Sequence, residues 1–463
     1  MTDAGYAYFS ISDLAPSIES GEISPVALVQ TTLDRIAAHN DTLCAYITVM
    51  TESALDEAHQ AERQIAGGNY LGPLHGVPLA AKDLFATAGV RTTFGSPLYA
   101  DWVPDHDAAA VERLRAAGAV IVGKTNLHEL AYGGTSGNPH FGAVRNAFDP
   151  ACHPGGSSGG SATAVAGGLA FGALGSDTGA SIRQPAACCG IVGLKPTFGL
   201  VSKFGALPLC WTMDHVGPMT RTVADAAAML QVLAGYDERD ETSAERPVPD
   251  YGDGVNRGAG GVRIALVREF FFADCDAEIS AAVEAAGAVF EGLGARVEEA
   301  TIPDVEVSYA AGTIIMGSEG AAMHGADLRQ RPELFSDEVR GLLTIGGLYP
   351  AADYVQAQRF RKTFAAAVEE LFTHCDALIM PTSPVPATPI DDSPPEHGPL
   401  RYRNTVPFDV SGHPAISLPC GFTAKGLPIG LQIVGRAFGE AELLAIAAAY
   451  EGATDWHERH PKF

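Results

Sequence analysis

Three features are scarce in this sequence, and each absence excludes something. No stretch approaches the roughly 18 uninterrupted apolar residues of a bilayer span, so no transmembrane helix is expected. Basic residues are outnumbered, with 30 lysines and arginines against 55 acids and a net charge of −25. Direct nucleic-acid binding needs a basic surface to neutralise phosphates, and an anionic membrane surface makes a similar demand, so neither is an expected partner. The eight cysteines are scattered without a C-x-x-C pair, which argues against a disulfide framework or zinc ribbon. They read as small buried hydrophobes. The opening MTDAGYAYFS has no basic region followed by an apolar run, so no signal peptide is expected. The chain reads as cytoplasmic, its acidity serving solubility.

What is abundant is apolar surface and glycine. With 463 residues and 46% hydrophobic content, the chain can bury a large core. Residues 1–70 read as a helical segment packed on the body, with Val26, Val29, Leu33 and Ile36 at helical spacing after Ser24-Pro25. A second helix runs from Thr51 to Ile65. Residues 71–235 form the candidate catalytic core. There the short apolar run Leu74–Ala81 reads as a buried strand, a helix over Ala108–Gly118 follows, and Ala119–Gly123 is a second strand. Helix followed by buried apolar strand is an α/β pattern. Residues 236–261, polar and rich in Gly and Pro, read as a surface loop. Over 262–375 a β-α-β unit (Val262–Val267, Ala277–Leu293, Arg296–Ala300) leads into a mostly helical region. In 376–463 the strands Ala377–Met380 and Ala415–Pro419 and the helix Glu440–Glu451 return to the core. These elements describe one large α/β domain.

The glycine-rich stretch Gly155–Gly199 stands out because glycine this dense is unfavourable for ordinary helix or strand. Before Lys195 it holds only two charged side chains, Asp177 and Arg183. Ser181, after Asp177-Thr178-Gly179-Ala180, could attack a carbonyl whose oxygen is held by neighbouring N–H groups; a tight turn with a capping serine is the plainer reading. Ser157 sits in Gly155-x-Ser157-x-Gly159, which fits a nucleophile elbow. An elbow needs a strand before it, and the preceding segment is polar and broken by Pro150 and Pro154. A phosphate loop fits less well, because the Lys-Ser/Thr ending is missing. Lys82 ends the apolar run. Burial would lower its pKa and let a neutral amine accept a proton; pairing with Asp83 or another carboxylate is the alternative, and local sequence alone favours it. His457-Glu458-Arg459-His460 is one residue short of H-E-x-x-H, and His128-Glu129 and His413 have no partners at ligand spacing, so no metal is expected.

Taken together, these segments resemble the amidase signature family. The resemblance runs through Gly76-Val77-Pro78 with Lys82-Asp83, Gly155–Gly160, Asp177–Pro185, Cys189–Thr197, Asp214–Val223, Pro381-Thr382 and Gly412–Gly421. It spans about Ser24 to Trp456. It implies an amidase-signature α/β fold, a large mixed central β-sheet covered by helices on both faces. It also implies a Ser-cisSer-Lys triad. Ser181 is then the nucleophile, Ser157 the relay on a cis peptide bond, and Lys82 the base. The N–H groups of Thr178, Gly179, Ala180 and Ser181 form the oxyanion hole, with Ser158, Asp177 and Arg183 fixing the two loops. No cofactor is implied. Relatives usually carry two glycines before the nucleophile, whereas Ala180 fills the second position here. A left-handed backbone there would cost alanine about 1 kcal/mol.

The same resemblance points to a small-molecule amide as substrate, cleaved to carboxylate plus ammonia or amine, with a homodimer left open. Tyr132, Gly133 and Gly134 fall where family members line the acyl pocket, and Ile314–Tyr349 falls where the leaving-group side varies. The nearest subgroup is the A subunit of tRNA-dependent glutamine amidotransferase, which has an acid shortly before its T-x-P segment. Here Arg401, Tyr402, Arg403 and Asn404 precede Thr405-Val406-Pro407, which favours a stand-alone amidase. A carbamate or ester hydrolase on the same triad is a further alternative, and an inactive binding subunit is disfavoured by the retained Lys82, Ser157 and Ser181.

Overall fold

The structure, a computed structural model, describes residues 5–391 and 396–462. Residues 1–4 of the N-terminal segment lie outside the described residues. Three helices open the chain, α1 (Ile11–Glu19), α2 (Pro25–Leu43) and α3 (Thr51–Ala66), with β1 (Tyr46–Val49) between the last two. α1 starts on a capping box in which Ser10 and Asp13 satisfy each other's backbone N–H. α2 starts on Pro25, which has no N–H to leave unsatisfied, behind the N-cap Ser24.

The core follows as β2 (Pro78–Lys82), α4 (Ala109–Ala116), β3 (Val120–Thr125), a small ribbon of β4 (Gly137–Asn138) and β5 (Gly142–Ala143), α5 (Gly159–Ala166), β6 (Gly172–Asp177), α6 (Arg183–Cys189), β7 (Val192–Lys195), β8 (His215–Thr220) and α7 (Val223–Leu233). Residues 234–262 form no helix or strand. Beyond them come β9 (Arg263–Val267), α8 (Ala277–Gly292), β10 (Arg296–Ala300), α9 (Val305–Gln330), α10 (Asp337–Gly346) and α11 (Ala351–Leu371). The chain closes with β11 (Ala377–Pro381), α12 (His397–Arg403), α13 (Val406–Ser411), β12 (Ala415–Phe422), β13 (Pro428–Val434) and α14 (Glu440–Gly452).

Eleven strands make one mixed sheet in the order β1-β3-β2-β6-β8-β7-β12-β13-β11-β9-β10. Successive residues of its strands enter opposite layers, as the two-residue strand period requires. Leu79, Ala81, Ile121 and Leu174 join the core under α7, α8 and α14. Ala80, Val120, Val122 and Ala173 join the core under α2, α5 and α6. Both faces are therefore covered, and the strands read as continuous apolar runs.

Several elements differ from the sequence reading. The N-terminal segment contributes β1, antiparallel to β3 at the sheet edge. β7, β8 and β13 were not foreseen; each carries Gly, Pro or both, which obscures the alternation that marks a strand.

The topology places the site. β2 lies parallel to both β3 and β6, with Leu79 opposite Gly172 and Ala81 opposite Leu174. The C-terminal ends of β2 and β6 thus open on the same edge of the sheet, bringing Lys82 beside Ser176.

Candidate active site

Lys82 is completely buried at the end of β2. Its Nζ lies 2.7 Å from Ser157 Oγ, 2.9 Å from Ser158 Oγ and 2.8 Å from Ser176 Oγ. Three hydroxyls match the three positions of an amine head group, and none of them carries a charge. Burial draws the lysine down to about 7, while Asp177 and Asp214 pull the other way. Pairing with Asp83, the alternative reading, does not occur. The Asp83 carboxylate accepts from Thr93 N at 2.8 Å and Thr93 Oγ1 at 2.6 Å, and faces Lys124 at 3.3 Å.

Ser157 follows a cis peptide bond from Gly156. Its carbonyl oxygen accepts from His128 N at 3.1 Å and Ser136 Oγ at 3.2 Å, and Gly156 N donates to Gln184 Oε1 at 2.9 Å. Glycine is required beside it by close backbone approach. A Cβ on Gly156 would stand 2.7 Å from Thr135 N, and one on Gly160 would stand 2.3 Å from Asn126 O. No strand precedes Ser157 between β5 and α5, so the nucleophile-elbow reading lacks its structural context.

Ser181 does sit between a strand and a helix, in the turn joining β6 to α6. Ser158 N donates to Ser181 O at 3.3 Å, tying the two glycine-rich loops together. The N–H groups of Gly179, Ala180 and Ser181 have no hydrogen-bond partner among the described residues. Such free donors can receive developing negative charge on a carbonyl oxygen. Neither Gly179 nor Ala180 has a positive φ, so the backbone there suits alanine and the anticipated strain at Ala180 does not arise.

The turn is held from below by Arg183. Its guanidinium grips Asp177 twice, at 2.9 Å through Nε and 3.0 Å through Nη2. It also donates to Asp409 Oδ2 at 2.5 Å, and to Thr405 O and Gln432 Oε1 at 2.9 Å each. Asp177 Oδ2 in turn accepts from Ile182 N at 3.1 Å. Burial pushes the Asp177 carboxyl up, but Arg183 outweighs it and holds the group below the usual carboxylate range. Asp409 is pushed well up by burial, with Arg183 acting against that.

Ser181 opens on a cavity of about 230 Å³. Gly156 and Thr178–Ala180 line it on one side and Tyr132, Gly133 and Gly134 on another. Met316, Glu338 and Leu342 from the 314–349 region stand in this same cavity, together with Arg401 and Tyr402. The His457–His460 segment lies away from it. Trp456–Glu458 is a single 3-10 turn, and the His460 ring stacks on Tyr8 at 4.3 Å.

An amidase family model matches residues 27–444. The chain belongs to the amidase signature family. It is 41% identical over 477 residues to the A subunit of glutamyl-tRNA(Gln) amidotransferase from Geobacter sp. (strain M21), covering 97% of this chain and 98% of that one. It also superposes on solved structures. One comes from an unexpected vestigial protein complex that reveals the evolutionary origins of an s-triazine catabolic enzyme. The TM-score is 0.93 at 34% identity, covering 98% of this chain and 100% of that one. Another is the peptide amidase of Stenotrophomonas maltophilia, with a TM-score of 0.87 at 35% identity and 99% coverage of both.

In this amidase-signature chain, sequence reasoning missed three residues that shape the site. Ser176 hides beside Asp177 in a small-residue strand, where only the lateral pairing of β2 with β6 brings it to Lys82. Asp409 is 226 positions from Arg183 and has no local signal. Asp214, quoted only as part of a motif, accepts from Thr178 Oγ1 at 2.6 Å, and burial raises it to about 6. A buried acid in a stretch otherwise apolar was the available hint. Among the described residues no helix is long and apolar enough to cross a membrane.

Proposed function

We propose that the chain hydrolyses a carboxylic acid amide to a carboxylate and an amine or ammonia, through an acyl-enzyme on Ser181. The observation that carries this reading is a fully buried Lys82, drawn down to about 7, with Nζ 2.7 Å from Ser157 Oγ. In its neutral form Lys82 accepts a proton from Ser157 Oγ as Ser157 accepts one from Ser181 Oγ. Ser181 Oγ bonds to the carbonyl carbon, and the N–H groups of Thr178–Ser181 take the oxygen's developing charge. The C–N bond then breaks, and the nitrogen receives the proton that Lys82 returns through Ser157. Water cleaves the acyl-enzyme by the same relay, giving the carboxylic acid and restoring Ser181. Ser158 and Ser176 keep the Lys82 amine oriented, while Asp177 and Arg183 hold the turn.

A second reading, an amidotransferase component that releases ammonia from glutamine, is favoured by the 41% identity to the Geobacter protein. The cavity favours the stand-alone amidase. Arg401 and Tyr402 stand before the T-x-P segment, and among the described residues the one carboxylate lining the cavity, Glu338, comes from α10 and faces His128 at 3.5 Å. On this reading the enzyme works on a small-molecule amide in the cytoplasm. The test is turnover of an amide, carbamate, ester and glutamine panel by the wild type and by Ser181→Ala. Amide hydrolysis lost in the variant supports the proposal. Turnover confined to glutamine supports the amidotransferase, and wild-type rates in the variant contradict both.

A further inference from the structure

A second cavity, of about 320 Å³, adjoins the one that holds Ser181. Ala131, Thr178 and Leu209 line both spaces. The second cavity also reaches Ser176, whose hydroxyl is 2.8 Å from Lys82 Nζ. It therefore lies on the base's side of the reacting groups.

Its polar surface offers acceptors. Asp214 Oδ2 takes two backbone N–H groups, from Leu209 at 2.9 Å and Cys210 at 3.0 Å, but Oδ1 takes only Thr178 Oγ1. A carboxylate oxygen has room for a second donor. His215 lines the same space. Its Nδ1 is 3.2 Å from Asp177 O, which makes that nitrogen the donor and leaves Nε2 as an acceptor. Nε2 has no hydrogen-bond partner among the described residues, but it is buried out of a ligand's reach, so Asp214 Oδ1 is the acceptor open to the cavity. Of the two cations on the walls, Arg239 is paired with Asp237 and Glu112, while Lys203, whose Nζ donates to Trp211 O, offsets part of the charge of Asp214 and Asp240. Asp240 and Glu241 add carboxylates, and Leu84, Phe204 and Leu207 give apolar wall. An Asp214 oxygen with room for a donor, more carboxylates than cations and aromatic surface suit an organic amine.

We propose that this cavity is the leaving-group site: it receives the substituent on the amide nitrogen and favours one carrying an amine, so that N-substituted amides are substrates. The proposal rests on the Ser181–Ser157–Lys82 reading above. When the C–N bond breaks, the nitrogen must lie within hydrogen-bond reach of Ser157 to take back the proton that began on Ser181. Lys82 bridges Ser157 to Ser176, and Ser176 is part of the second cavity's wall. The amine departs as RNH₂ on that side, while the acyl group stays on Ser181 against Tyr132 and Gly134.

Two measurements on Ala206→Trp and Leu207→Trp test this; each fills the cavity from a different wall position, with thermal melts confirming that both fold. The first is calorimetric binding of benzylammonium, which needs no turnover. Wild type binds it saturably, and both variants bind it roughly tenfold or more weakly. The second is the ratio of kcat/KM for an N-(2-aminoethyl) amide to that for the primary amide of the same acid. That ratio also falls roughly tenfold or more in both variants. Unchanged binding, or an unchanged ratio, overturns the proposal. A wild type that binds benzylammonium but cleaves neither amide would overturn the Ser181 reading and the leaving-group role with it, leaving only an amine site.

Discussion

Arg183 Nη2 lies 2.5 Å from Asp409 Oδ2, joining two residues 226 positions apart. Because the same guanidinium holds Asp177, helix α13 braces the turn that carries Ser181. Removing Asp409 leaves the guanidinium paired with Asp177 but takes away one of its buried acceptors, which costs about 1–3 kcal/mol. Asp409→Ala is therefore expected to lower unfolding free energy by that order in urea titrations. Asp409→Asn, which can still accept from Arg183, is expected to lose less.

On the proposed relay, the state of Lys82 sets a pH dependence. A base drawn down to about 7 is neutral above that pH and protonated below it. Below about pH 7, kcat/KM is thus expected to fall roughly tenfold per pH unit. Stability moves in the same direction. The unfolded chain, with an ordinary lysine, binds more protons between the depressed value and 10.5, so stability attributable to Lys82 rises with pH through that window. Comparing wild type with Lys82→Met in urea at pH 7 and pH 9 isolates this effect. The wild type gains on the variant at the higher pH.

Ala180 provides a test in the opposite sense. Its φ is not positive, so glycine relieves no strain there and only loosens the unfolded chain. Ala180→Gly is expected to lose roughly 0.4–1 kcal/mol of stability. Its kcat/KM should stay near the wild-type value, and a large rate gain would show that alanine distorts the oxyanion donors.

These cases show how far the sequence could be read. Lys82, Ser157 and Ser181 were visible because each sits at a break in texture: the end of an apolar run, or a serine among glycines. The family resemblance then ranked them. Ser176 and Asp409 were not visible, because each reaches the site through sheet order or a late helix rather than through local spacing. The sheet order was equally hidden. β6 is paired with β2 and β8, and the late strand β12 lies against β7, so neighbours are chosen across long stretches of chain. The strain expected at Ala180 depended on a backbone angle that residue types alone do not fix.

Gly133 tests the fit of the cavity wall. A Cβ there would stand 2.2 Å from His128 Nε2, forcing the ring from its place beside Glu338. His128 N also donates to Ser157 O at 3.1 Å, so the disturbance reaches the serine proposed as the relay. Gly133→Ala is expected to lower kcat/KM by about 100-fold, as misplacements of an ångström do. Steady-state kinetics together with a thermal melt separate this from unfolding.

The central claim is that Ser181, activated by Lys82 through Ser157, is the nucleophile. A serine-directed fluorophosphonate followed by peptide mass spectrometry tests it most directly. The expected result is one adduct per chain, on the peptide containing Ser181, absent from Ser181→Ala and slowed in Lys82→Met. An adduct on Ser157 in the wild type, or labelling that persists in Ser181→Ala, would contradict the account.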